Sequence, residues 1–151
     1  MIKIICIGKI KEKYLKDAIE DYKKRLSKYT KLEIIELKDE TNPNPKIALE
    51  QEKEKIKNHL KETDNIVLLD INGKEFTSEE LAQFINKELT YQSNITFVIG
   101  SSHGLDEEIK KLTTKKISFS PLTFPHQLFR VILLEQIYRS FKILNNETYH
   151  K

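Results

Sequence analysis

Three short stretches of this sequence combine residues that let a ligand approach backbone with residues that stiffen a loop. They are Leu68-Leu69-Asp70-Ile71-Asn72-Gly73-Lys74, Ile99-Gly100-Ser101-Ser102-His103-Gly104 and Phe119-Ser120-Pro121-Leu122-Thr123-Phe124-Pro125. Glycine permits close approach to the chain, and the prolines fix backbone angles in the third stretch. Singly they read as a turn, a strand-to-helix connection and a helix entry. Together they can frame a small, largely apolar pocket that holds a purine through backbone N–H and C=O groups.

Arginine use adds a second signal. The only arginines are Arg25, Arg130 and Arg139, and the last two fall in an otherwise apolar segment. A planar guanidinium suits bidentate contact with phosphate or carboxylate, so both are candidates to hold an anionic substrate. The plainer alternative for Arg139 is an i, i+4 pair with Glu135 on one helix face. Beyond them, Asn145-Asn146-Glu147-Thr148-Tyr149-His150-Lys151 carries an aromatic ring, an imidazole and a cation, although chain ends are ordinarily frayed.

Other chemistry is excluded by what the residues lack. Neither a GxxxxGK[ST] nor a GxGxxG pattern occurs, which removes the usual support for ATP or NAD binding. The four histidines, His59, His103, His126 and His150, form no HExxH and no i, i+4 pair, so no metal is expected. Cys6 stands alone among isoleucines, with no partner for a disulfide and no polar neighbour to activate it, and reads as core in a reducing cytoplasm.

The elements that must position these residues follow from periodicity. With 151 residues, 38% of them hydrophobic, the chain is sized for one domain over residues 1–151. Four glycines and four prolines leave no room for a low-complexity linker, and aliphatic runs stay far below the ~18 residues of a membrane span. Strands are predicted at Lys3–Gly8, Leu32–Leu37, Asn65–Ile71, Asn94–Ile99 and Lys116–Ser120, the third closed by Asn72-Gly73. Helices are predicted from Tyr14 to near Tyr29, at Lys46–Lys61 as a solvated peripheral helix, after a Thr77/Glu80 capping box, and at Leu105–Leu112. A last helix has Pro125 in its first turn and is apolar nearly all round from Leu128 to Leu134, which asks for cover on two sides and suggests an isologous dimer. Strands alternating with helices argue an α/β fold with a mainly parallel sheet, and ligands then bind beyond the carboxyl ends of strands, where the three loops fall.

The ordered set Leu69-Asp70-Ile71-Asn72-Gly73-Lys74, Phe97-Val98-Ile99-Gly100 with Gly104, Leu122-Thr123-Phe124-Pro125-His126, Arg130 to Arg139 as RxxxxEQxYR, and Tyr149-His150-Lys151 resembles the RlmH family of the SPOUT superfamily. These are ribosomal RNA large-subunit pseudouridine-N3 methyltransferases, and the resemblance runs the length of the chain. It implies an α/β knotted fold with a C-terminal trefoil knot, an exception to the rule against knots. It also implies S-adenosylmethionine as cofactor, a homodimer, and methylation of N3 of a pseudouridine in 23S rRNA on the assembled ribosome. Carried over by position, cofactor contacts fall on Leu69, Gly100, Phe119, Ser120, Pro121, Leu122, Thr123 and Phe124. Catalytic roles are expected of His150, as base or as orienting group, of Tyr149, stacking on the base or gating it, and of Arg139, binding phosphate with Lys151, in a tail that serves the partner's cofactor site.

Two departures from the family pattern are Ser101, where a second glycine is usual, and Ser140, where alanine is usual. If position 101 needs a positive φ, serine costs on the order of 1 kcal/mol there and weakens the cofactor. A net charge of only +3 implies that the ribosome supplies much of the docking surface. The alternatives are another SPOUT methyltransferase acting on tRNA, and a ribosome-binding module without catalysis.

Overall fold

Strand β1, Ile2–Ile7, is buried along its whole length. Its side chains alternate between two cores, Ile2, Ile4 and Cys6 facing one and Ile5 and Ile7 the other, as the two-residue period of a strand requires. This is the signature of a parallel strand covered on both faces, and each fully buried isoleucine contributes ~1.5–3 kcal/mol. Burial also pushes the Cys6 thiol up to about 12, leaving it protonated and inert.

A computed structural model describes residues 1–151. After β1 come α1 (Lys13–Leu26), β2 (Leu32–Leu37), α2 (Pro45–Asn58), β3 (Ile66–Glu75), α3 (Ser78–Gln92), β4 (Ile95–Ile99), α4 (Glu107–Lys110), β5 (Lys116–Ser118) and α5 (His126–Leu144). The five strands form one sheet in the order β2-β1-β4-β3-β5, every neighbouring pair parallel. Helices α1, α3 and α5 supply the larger core, and α2 and α4 the smaller. No helix is long and apolar enough to cross a membrane.

Asn72-Gly73 does not close strand three. The strand pairs with β5 through Leu68 and Leu69, bulges out over the intervening residues, and pairs again through Lys74 and Glu75. The Asp70 side chain accepts the Asn72 N–H at 3.0 Å, which holds the bulge as an Asx turn. Gly73 lies against β5 so closely that a Cβ would come within 2.6 Å of the Lys116 carbonyl carbon. The turn signal was real; the pairing partner beyond it was invisible to local sequence.

The capping box of α3 forms as predicted, Thr77 Oγ1 accepting from the Glu80 N–H and the Glu80 carboxylate from the Thr77 N–H. Pro125 is the N-cap of α5 rather than a first-turn residue. The apolar girth of α5 is met largely within the chain: Leu133, Leu134 and Ile137 are fully buried against the sheet and the flanking helices, while Leu128 stays exposed. Helix α2 is less solvated than its composition predicts, for it buries Ala48, Ile56, Lys53 and, unexpectedly, Glu52.

At the amino ends of the strands a polar knot replaces apolar packing. Lys115 Nζ donates to Glu88 Oε2 at 2.6 Å and to Asn65 Oδ1 at 2.7 Å, and Asn65 Nδ2 donates to the same Glu88 oxygen at 2.8 Å. This ties α3 to the approaches of β3 and β5, and leaves the opposite edge of the sheet for the site.

Candidate active site

The three loops converge at the carboxyl ends of β3, β4 and β5 around a cleft of about 410 Å³. Of the residues singled out for cofactor contact, Leu69, Gly100, Phe119, Ser120, Leu122, Thr123 and Phe124 line it, and Pro121 does not. Its apolar surface includes Ile99, Ile117 and Phe129, with Asp70, His103, Lys110 and His126 as its titratable side chains.

Each wall is built by an identifiable contact. Gly100 is required by space: a Cβ there would sit 2.3 Å from the Gly104 carbonyl oxygen. Gly104 turns the loop with φ +84°, and its N–H donates to the Ser101 carbonyl at 2.9 Å. On the β5 side, Ser120 Oγ accepts the Leu122 N–H at 3.0 Å, while Phe119 meets Phe129 edge to face at 5.0 Å between ring centroids. Leu122 stays exposed at the rim.

Ser101 carries no strain. The non-glycine residues with positive φ are Ser93 and Asn146, so the cost foreseen for serine at position 101 does not arise. Its hydroxyl instead donates to Glu52 Oε1 at 2.7 Å. Ser140 is buried, and its hydroxyl donates to the Gln136 carbonyl one turn back at 2.8 Å, a bond helices accommodate.

Arg130 does not face a substrate. It is 1% exposed, with Nη1 donating to Glu36 Oε2 at 2.6 Å and Nη2 to the Gly8 carbonyl at 2.9 Å. Glu36 also accepts the Ile10 N–H at 2.9 Å. Arg130 is therefore a brace that locks the β1–α1 connection, entered through Gly8 at φ +98°, onto α5.

The C-terminal tail is folded back, not frayed. Tyr149 packs edge to face on Tyr138 with centroids 5.0 Å apart, and its hydroxyl donates to Glu135 Oε1 at 3.0 Å. The same carboxylate oxygen accepts from Arg139 Nη2 at 2.5 Å, so the i, i+4 pair exists and is the hub that holds the tail. The Arg139 guanidinium lies 4.8 Å from the Tyr149 ring centre and donates Nη1 to His150 Nδ1 at 3.1 Å. His150 Nε2 reaches Glu79 at 2.7 Å. Burial first, and then the bond to Glu135, push the Tyr149 phenol up, so it stays a donor at neutral pH. Glu79 is held below the usual carboxylate range by the backbone N–H at the start of α3 and by His150.

Tyr149, His150 and Arg139 thus form one cluster, distinct from the cleft lining. Glu36, Glu52 and Glu79, which orient the predicted residues, carry no local signal. Each is one acid among many in a chain that is 32% charged.

The parallel sheet with its glycine-walled cleft at the strand ends is the architecture in which α/β proteins bind ligands. The family described as "Predicted SPOUT methyltransferase" matches residues 1–150, and the chain belongs to this family. Among its relatives, the ribosomal RNA large subunit methyltransferase H of Caldicellulosiruptor saccharolyticus is 51% identical, the match covering 100% of both chains. The protein of the same name from Clostridium botulinum strain Kyoto is 52% identical, over 99% of each.

Proposed function

We propose that this chain transfers the methyl group of S-adenosylmethionine to N3 of a pseudouridine in 23S ribosomal RNA, working as a homodimer on the assembled ribosome in the cytoplasm. The observation that carries this reading is the cleft itself. Three loops, far apart in sequence, meet around Gly100 in a chain similar over its full length to ribosomal RNA large subunit methyltransferases H.

The cleft fits the cofactor on its own terms. Its volume lies within the ~300–1,000 Å³ of small-molecule sites, and the bare Gly100 backbone lets the loop to Gly104 close on itself as one wall of it. Leu69, Gly100, Phe119, Ser120, Leu122, Thr123 and Phe124 would hold the cofactor through apolar side chains and backbone polar groups, with Pro121 stiffening the loop. When bound, S-adenosylmethionine supplies an electrophilic methyl on a sulfonium, so the protein has to align it with N3 and accept one proton, which needs no metal.

Tyr149, His150 and Arg139 supply the rest from the tail. Because they do not line the cleft of their own protomer, each tail serves the cleft of its partner across a two-fold axis. The apolar flank of α5, with Leu128 exposed and Val131 and Ile132 half-buried, supports such a contact. Tyr149 offers a ring to stack on the base, Arg139 a guanidinium for phosphate, and His150 an imidazole that receives the N3 proton or orients the base. The C-terminal trefoil knot that the family resemblance implies is part of the same proposal.

The test is transfer of labelled methyl to ribosomes, free large subunits and tRNA lacking the modification, with the product nucleoside identified by mass spectrometry. N3-methylpseudouridine in ribosomal RNA is the expected product. Label in tRNA alone, or in no RNA, overturns the reading.

A further inference from the structure

Glu52 is a carboxylate buried in α2 at 3% exposure, and no lysine, arginine or histidine lies within ion-pair distance of it. Its oxygens are satisfied otherwise. Oε1 accepts the Ser101 hydroxyl at 2.7 Å, and Oε2 accepts the Glu40 N–H at 3.2 Å from the β2–α2 connection. Keeping a carboxylate out of water without a cation is costly, and such a group persists where its hydrogen bonds hold something in place.

What it holds is the tip of the β4 loop. With its proton directed at Glu52, the Ser101 oxygen is left as an acceptor, and it faces the His103 N–H at 3.3 Å. Ser101 and Gly104 also form an antiparallel bridge, so the turn between them is fixed by backbone on one side and by the Glu52–Ser101–His103 chain on the other. Ser101, Ser102, His103 and Gly104 all line the cleft, next to the Gly100 wall.

We propose that Glu52 is a positioning residue for the cofactor, acting through the Ser101 hydroxyl to set the β4 loop in its binding shape before any ligand arrives. The inference rests on the cofactor reading above and adds to it a group in α2 that does not line the cleft. Pre-organisation of this kind lowers the ordering cost of binding and shows as affinity.

The experiment is S-adenosylmethionine binding by calorimetry to the full chain and to Ser101→Ala, Glu52→Gln and the double variant. Amide hydrogen exchange at His103 is followed in the free proteins. Ser101→Ala is expected to weaken binding about tenfold. Glu52→Gln keeps one acceptor oxygen and is expected to lose about fivefold. The double variant should be no worse than Ser101→Ala, because both act on one bond. His103 exchange should quicken in all three by more than the fall in melting temperature accounts for, that fall being largest in Ser101→Ala, which leaves a buried carboxylate oxygen without its donor.

Ser101→Ala binding within twofold of the unsubstituted chain overturns the proposal, as does strict additivity in the double variant. A lowered melting temperature with unchanged affinity and unchanged His103 exchange makes Glu52 a stability element only, and also overturns it. Failure of the unsubstituted chain to bind S-adenosylmethionine at all is a different result, which removes the cofactor reading itself and this inference with it.

Discussion

Arg139 Nη1 donates to His150 Nδ1 at 3.1 Å, and a guanidinium has nothing with which to accept. Nδ1 therefore carries the lone pair, and the ring proton sits on Nε2, where it is donated to Glu79 at 2.7 Å. Both nitrogens of His150 are engaged, so under the proposed function it would take up a substrate proton only if Arg139 turned away from it. Engagement of Arg139 by RNA phosphate would accomplish that, coupling the arrival of RNA to the availability of the base.

Deleting Tyr149 to Lys151 is expected to reduce methyl transfer below detection while S-adenosylmethionine affinity changes less than about threefold, because the proposal assigns the tail to the RNA base and phosphate and the cofactor to the loop residues that line the cleft. His150→Gln should lower kcat by about 10²–10⁴-fold with little change in KM if the imidazole moves the proton. Steady-state rates on ribosomes check both, and a fully active truncation removes the tail from the mechanism.

Arg130→Met leaves the Gly8 carbonyl without its donor and Glu36 without its cation. The expected loss is about 2–4 kcal/mol, at the low end for a broken ion pair because Glu36 is partly exposed and rehydrates. Thermal unfolding should show a midpoint lower by roughly 5–15 °C. The salt dependence of RNA binding should not change, whereas Arg139→Met should reduce its slope.

Acid should loosen the amino-end polar cluster. Burial raises the Glu88 carboxyl, but hydrogen bonds from Lys115 and Asn65 outweigh it and hold the group below its ordinary value. A carboxyl with a depressed folded-state pKa contributes stability that is complete above its unfolded value, roughly 4.3, and is lost as pH falls through the folded one. Lys115→Met should therefore lower the melting temperature at pH 7, and the gap from the unsubstituted chain should narrow below about pH 4. A gap that stays constant to pH 3 would show that the pair contributes no linkage.

Gly100→Ala forces a methyl to within 2.3 Å of the Gly104 carbonyl oxygen, a backbone atom that can yield only by moving the loop. The cost is about 1–3 kcal/mol of stability. Affinity for S-adenosylmethionine should fall more than about tenfold, and calorimetry beside thermal unfolding separates the two effects.

Much of this architecture was legible in the sequence because it rests on local periodicity. The unbroken run Ile4-Ile5-Cys6-Ile7 gave a doubly buried strand, and Thr77 with Glu80 gave a helix start. The glycines and prolines marked the loops that do line the cleft. What was not legible depends on partners distant in the chain. Arg130 looked like an anion site because its partner, Glu36, is 94 residues away. Asn72-Gly73 looked like the end of a strand because the second pairing, with Ile117 and Ser118, depends on where β5 lies. Ser101 looked strained because its φ cannot be read from residue type, and Glu52 looked like one more surface acid on a lysine-rich helix.

Helix α5 is the last long element of the chain, yet its residues fill the larger core between α1, α3 and the sheet, and its first turns back the cleft. During synthesis, everything before about residue 116 emerges without the strand that completes β3's pairing, the loop that closes the cleft, or the helix that covers the first core. A partly made chain is therefore not a weaker version of the enzyme. It has an uncovered apolar face and an open cleft, and the same final segment, β5 to α5, supplies what both lack.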